Sequence, residues 1–150
     1  MNAKSQGRSR SGARELLSQA LYQWQLTDHG LDELLTQFAQ RDEFQQIDAN
    51  YFKALLKDVL DCNVELNALI EDYADRSPQQ LDPMGRAILL IGLAELKLRP
   101  KVPTKVVINE AIKLAKLYGA TDAHRFVNAL LDRAAGALRE PRVTGAHGGV

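Results

Sequence analysis

Residues 84–98 read MGRAILLIGLAELKL, and this stretch decides the fold. Ala87, Ile88, Leu89, Leu90, Ile91, Leu93, Ala94, Leu96 and Leu98 leave it apolar nearly all round. A helix without a polar face is a central, buried helix. Its apolar core, Ala87 to Ala94, is far short of the roughly 18 residues that a membrane span needs. Asp82-Pro83 ahead of it is a cap followed by proline, and Pro100 stops it.

Downstream, Pro103-Thr104 starts a helix that runs to Tyr118, where Gly119 punctuates it. The last helix begins at Thr121 or Asp122, with Ala123, Phe126, Val127, Leu130, Leu131, Ala134 and Leu138 as its apolar set. Upstream, Ser77-Pro78 is a second cap-then-proline signal. Two apolar sets precede it: Tyr51, Phe52, Leu55, Leu56, Val59 and Leu60, then Leu66, Leu69, Ile70 and Tyr73. No Gly or Pro separates them; a break near Asp61 to Asn63 and one long helix both fit. Asp48 is a plausible N-cap for the first set. A short helix at 31–40 follows His29-Gly30. The first helix spans about 12–27, with Ala13, Leu16, Leu17, Ala20, Leu21 and Trp24 on one face. Arg14, Ser18 and Tyr22 share a different stripe, which Arg10 would extend by one turn.

Composition agrees. Among 150 residues, Leu is 23 and Ala 19, while Val, Ile and Thr together are 19. Straight-chain and small residues favour helix and β-branched ones strands, so the chain reads as all-α. The expected organisation is a flexible basic arm at 1–10, a helical domain at 11–140 and a disordered tail at 141–150.

The formal net charge is zero, which argues against binding nucleic acid by bulk charge alone. The zero hides an asymmetry. Residues 1–14 are net +4, residues 15–76 net −9 and residues 77–150 net +5. Local anionic-ligand sites are therefore open on a neutral chain. The one cysteine, Cys62, excludes an internal disulfide framework and a Cys-rich zinc site. The opening MNAKSQGRSRSGARE has no apolar core of a secretory signal. A soluble, reduced, cytoplasmic protein is the expectation.

Enzyme chemistry has no good candidates. Phosphate-cradling glycine loops are absent, and His29, His124 and His147 lack metal-ligand spacing. Cys62 lies in an acidic stretch, whereas a catalytic thiol wants positive neighbours. Glu71, Asp72 and Asp75 read as a solvated face before they read as an acid–base cluster. Neither catalysis, cofactor nor metal is expected.

Two features could carry binding. Arg8-Ser9-Arg10-Ser11-Gly12-Ala13-Arg14 is short and basic, and the arginine fork suits phosphate. Taken alone it would be a solubilising tail. Tyr22 on the same stripe favours single-stranded RNA, whose bases stack on rings beside guanidinium groups. The second feature is Thr121-Asp122-Ala123-His124-Arg125-Phe126, since free N–H groups at a helix start favour anions. Here Asp122 could simply be the cap, and Phe126 simply core.

These residues also carry a resemblance. VPTKVVINEAIKLAKLYGATDAHRFVNALLDRAA (Val102–Ala135), ARELLSQALYQWQL (Ala13–Leu26) and RAILLIGLAEL (Arg86–Leu96) together resemble the NusB family of transcription antitermination factors. The order and spacing fit from about residue 8 to 139. The resemblance implies a seven-helix bundle of two packed helical subdomains and no enzyme activity. It implies a pairing with NusE, a small-subunit ribosomal protein. It further implies binding of boxA in nascent RNA, mainly ribosomal RNA transcripts, and loading of the antitermination complex on RNA polymerase.

Carried onto this sequence, the family's arginine-rich motif falls on Arg10 and Arg14. Ser11 and Gly12 stand where some members have arginine, and Arg8 compensates. Tyr22, Asp122 and Phe126 take the other functional positions, and their division between RNA and NusE stays open. The working assignment gives Arg8, Arg10, Arg14, Asp122, Arg125 and Phe126 to RNA, and Tyr22 and Arg86 to NusE. Gly85 stands where some relatives have an acid in the NusE-facing region. The same module resembles the N-terminal domain of a ribosomal RNA cytosine methyltransferase. That enzyme needs a further catalytic domain, so the reading is not expected for these residues alone. The rival reading is a helical protein–protein adaptor whose arm only solubilises. A weak homodimer is also open, because an exposed partner-binding face can pair with itself.

Overall fold

The structure, a computed structural model, describes residues 3–74 and 81–139, with side chains from Arg10 onward. The expected tail at 141–150 and the Ser77-Pro78 signal lie outside the described residues. Seven α-helices account for the described chain: α1 (Ala3–Leu26), α2 (Leu31–Ala39), α3 (Ala49–Asp61), α4 (Asn63–Ala74), α5 (Pro83–Leu98), α6 (Thr104–Tyr118) and α7 (Ala123–Arg139). A 3₁₀ turn at Asp42–Gln46 sits between α2 and α3. No strand occurs among the described residues, and none of the helices is long and apolar enough to cross a membrane. The chain divides into two compact units, residues 1–63 and 64–150.

In the first unit, α1 packs on α2, on the 3₁₀ turn and on α3. Leu16, Leu17, Ala20 and Leu21 of α1 are buried, as are Leu34 and Phe38 of α2 and Phe52, Leu55, Leu56 and Val59 of α3. Phe52 gathers the aromatics: Phe38 lies 6.2 Å away and Phe44 of the 3₁₀ turn meets it edge-on at 5.7 Å. Asp48 caps α3 as expected, its Oδ1 accepting the Tyr51 N–H at 3.0 Å. The α3–α4 break falls at Cys62, which leaves helical geometry at φ −106°, ψ 15°. Asn63 then donates to the Leu60 carbonyl at 2.6 Å, covering one acceptor that the ended helix leaves open. One start differs. The helix expected from residue 12 begins at Ala3. No apolar periodicity marks residues 3–11, so a pattern-based start could only be placed where Ala13 and Leu16 begin.

In the second unit, α5, α6 and α7 pack against one another. Every residue of α5 from Ala87 to Leu96 is buried, as its nearly all-apolar surface predicts, and the run takes the charged Glu95 in with it. Gly92 lets α7 approach: a Cβ there would lie 2.8 Å from Leu131 Cδ1. Asp82 caps α5 by accepting the Gly85 N–H at 2.9 Å, with Pro83 at the first helical position. α4 is tied in by polar contacts. Arg86 Nε donates to Asn67 Oδ1 at 3.1 Å, Lys97 pairs with Glu65 at 3.4 Å, and Arg133 donates to the Tyr73 carbonyl.

Gly119 ends α6 for a steric reason. Its backbone is extended (φ −82°), but a Cβ would meet the Ala115 carbonyl oxygen at 2.6 Å and Ala123 Cβ at 3.0 Å. Gly119→Ala is therefore expected to destabilise by about 1–2 kcal/mol, because backbone cannot yield as a side chain can. A urea unfolding midpoint equal to wild type would contradict this.

Candidate nucleic-acid interface

The first cluster is built on α1 and the start of α3. Arg10 and Arg14 lie one turn apart, and both guanidinium groups reach the ring of Tyr51, at 4.4 Å and 5.7 Å from its centroid. Arg10 Nε also stands 3.5 Å from Asp48 Oδ2, the oxygen that the helix cap leaves over. A cation over an aromatic face is attracted by the ring quadrupole, and the carboxylate adds a second, exposed attraction. Their burial sets the two arginines apart. Arg10 keeps 47% of its side chain exposed, so its fork can still take a phosphate. Arg14 is only 4% exposed. The sequence expects both to reach phosphate; the structure offers one and encloses the other. Ser18, the next residue on the stripe, is buried and donates to the Glu15 carbonyl at 2.6 Å.

Tyr22 is 39% exposed. It makes no ring–cation contact among the described residues. The aromatic that meets the arginines is Tyr51 on α3, which sequence reasoning had placed in the core. Nothing local could have found it, because the partner comes from a separate helix. Gly12 has its own steric reason: a Cβ there would lie 2.8 Å from Ile47 Cγ2, so a longer side chain requires Ile47 to move. The side chain of Arg8 lies outside the described residues.

The second cluster is in the other unit, where the starts of α5 and α7 meet. Leu81, Asp82, Gly85, Asp122, Phe126 and Val127 contribute to a pocket of about 260 Å³. Asp122 has φ +66°, a left-handed conformation unusual outside glycine though one that aspartate tolerates better than most. Its carboxylate is exposed and stands 3.9 Å from Arg125 Nε. Among the described residues its carboxylate accepts no hydrogen bond from the first turn of α7, so it does not act as the side-chain cap weighed in the sequence. Arg125 is highly exposed, and Phe126 is half-buried in the pocket wall. Arg86 is turned toward Asn67, and burial pulls its guanidinium below the ordinary arginine value. Arginine nonetheless stays charged at neutral pH. Among the described residues, no group of three or more His, Cys, Asp or Glu is placed to hold a metal ion.

With this geometry in hand, comparison with known proteins is decisive. The family model described as "NusB family" matches residues 11–136. The chain belongs to the NusB family. A transcription antitermination protein NusB of Pseudomonas savastanoi pv. phaseolicola is 42% identical over 141 residues, covering 94% of this chain and 86% of that protein. A NusB of Pseudoalteromonas atlantica is 45% identical over 132 residues, covering 88% and 94%. Solved structures agree. Thermotoga maritima NusB superposes with a TM-score of 0.74 at 27% identity, covering 84% of this chain and 89% of that one. A chain from a crystal structure of antitermination factors NusB and NusE in complex with dsRNA gives a TM-score of 0.79 at 28% identity. It covers 87% of this chain and 98% of its own. The seven-helix NusB-type fold and its two helical units are thus as the sequence resemblance implies.

Proposed function

We propose that this chain is a non-catalytic, cytoplasmic transcription antitermination factor. With NusE it binds boxA of nascent RNA, chiefly ribosomal RNA transcripts, and helps load the antitermination complex on RNA polymerase. The observation that carries this reading is the near full-length likeness to the NusB chain solved with NusE and RNA.

The residues divide accordingly. Arg10 takes backbone phosphate, helped by Arg8. Arg14 acts as a positioning residue, holding the Tyr51 ring against which Arg10 is oriented. Arg125 takes phosphate at the other cluster. Phe126 offers a ring for a base, and Asp122 accepts hydrogen bonds from base amino groups or orients Arg125. Tyr22 and Arg86 face NusE. Each surface alone is modest, and linking two through NusE raises the overall affinity.

The test titrates labelled boxA RNA and a scrambled RNA of the same composition, with and without NusE. The expected result is tighter binding of boxA RNA, strengthened further by NusE. Equal binding of both RNAs under both conditions would instead favour the protein–protein adaptor.

A further inference from the structure

We propose that an exposed lysine line along α6 is a second, sequence-independent track for the RNA backbone. This rests on the RNA-binding function proposed above and extends it beyond the two clusters already described.

Between residues 97 and 118 the chain carries Lys97, Arg99, Lys101, Lys105, Lys113 and Lys116 against one acid, Glu110. Two of these cations are satisfied by carboxylates: Lys97 by Glu65 at 3.4 Å and Lys113 by Glu110 at 3.2 Å. Lys101, Lys105 and Lys116 are exposed, and among the described residues they have no ion pair or hydrogen bond.

Lys105 and Lys116 stand almost on one line of α6. Eleven residues at 100° each make three turns and about 20°, and they span about 16 Å. Exposed Asn109 falls beside the line between them, and exposed Lys101 precedes the helix. Stability does not account for Lys105. It sits in the first turn of α6, where the helix end is positive and a cation is unfavourable, and that turn holds no acid. The cost at Lys105 is relieved when an anion binds, whereas Lys116, in the last turn, is already favoured by the dipole.

The length identifies the class of anion. About 16 Å is too long for one phosphate group, so the occupant is a polyanion. RNA is favoured over an acidic protein surface. The exposed apolar residues of α6, Val106, Leu117 and Tyr118, lie about 100° or more round the helix from the lysine line, and Ile112, which falls on that line, is only part-exposed. The line itself therefore offers no fully exposed apolar anchor of the kind that dominates protein–protein binding. Lysine ammonium groups act on phosphate as point charges and read no base, so the track adds affinity without sequence preference.

The experiment compares wild type with the triple variant Lys101→Gln, Lys105→Gln, Lys116→Gln. Each binds a minimal boxA RNA, the same RNA with flanking nucleotides, and a scrambled RNA of the longer length. All three lysines are exposed, and circular dichroism is the check that the variant folds. Flanks are expected to tighten binding to wild type. The variant is expected to lose roughly tenfold or more on both long RNAs at 0.1 M salt, while its affinity for minimal boxA stays unchanged. Its salt slope on long RNA becomes shallower by about 2, as three lost phosphate contacts require. An unchanged slope and unchanged long-RNA affinity overturn the track. Unchanged RNA binding together with weakened NusE binding would also overturn it, assigning the line to a protein. The scrambled RNA separates the two ideas: if wild type does not prefer boxA, the antitermination reading fails, yet the lysine-dependent loss on long RNA still decides the track.

Discussion

Replacing Arg139 by alanine is expected to lower the stability of the 64–150 unit by about 3 kcal/mol, a large share of the 5–15 kcal/mol typical of a domain. Arg139 ends α7, and its guanidinium closes the far end of α5. Nε donates to the Leu96 carbonyl at 3.0 Å. Nη1 donates to the Val102 carbonyl at 2.7 Å and to Thr104 Oγ1 at 3.0 Å. Nη2 donates to the carbonyls of Glu95 at 3.1 Å and Arg99 at 2.9 Å. The last carbonyls of a helix have no partner within it, and a cation at that end also meets the favourable pole of the helix dipole. One side chain thus satisfies the end of α5, the loop after it and the first residue of α6. Hydrogen bonds to a charged group contribute about 1.5–3 kcal/mol each, but these share one group and water replaces part of them, so their sum is not expected. Arg139→Lys should recover less than half, because an ammonium cannot span acceptors on three segments. Urea unfolding measures the loss. Amide exchange at Arg99 and Val102, whose N–H groups close the turns there, should quicken before the rest of α5. An Arg139→Ala midpoint matching wild type would show that water replaces the whole set.

Arg14→Ala and Arg10→Ala are expected to part company. Arg14→Ala removes an enclosed side chain and its contact with Tyr51. It should cost about 2–4 kcal/mol of stability, a buried large-to-small change with lost ring contact. Arg10→Ala removes an exposed ion pair and one ring contact, so its stability cost should stay below about 1 kcal/mol. For RNA the order reverses. Arg10→Ala should weaken binding about fivefold at 0.1 M salt and flatten the salt slope by about 0.7, the share of one phosphate on a single strand. Arg14→Ala, measured where it remains folded, should leave the slope unchanged. Equal slope losses for both variants would mean that Arg14 reaches phosphate after all.

That contrast shows where sequence reading stops. The stripe Arg10–Arg14–Tyr22 was legible because helical spacing is a local property. Which arginine is enclosed depends on what packs over α1, and nothing within α1 encodes that. Tyr51 reads as core from its place in the apolar set of α3, and it is buried; its second role as a platform for two cations appears only when α1 and α3 pack. α5 was legible almost to its ends because its composition leaves no solvent face, and its Asp82-Pro83 start is chemical punctuation. The break at Cys62 stayed open beside one continuous helix, since no Gly or Pro marks it and Val59 to Leu66 keeps the seven-residue helical spacing. The left-handed Asp122 and the reach of Arg139 back to α5 were not legible. Both depend on how the helices of the second unit come together, which no periodic signal within one helix encodes.

The position of Arg139 also has a consequence in time. A chain made from its N-terminus completes α5 at Leu98, yet the group that closes α5 arrives only with the last turn of α7. Until Arg139 is outside the ribosome, the Leu96 carbonyl and the second lone pairs of the Glu95 and Arg99 carbonyls face water, and the most apolar of the described helices waits with its end open. A nascent chain that stops short of Arg139 is therefore an unfinished bundle with an exposed greasy helix, the state that chaperones hold.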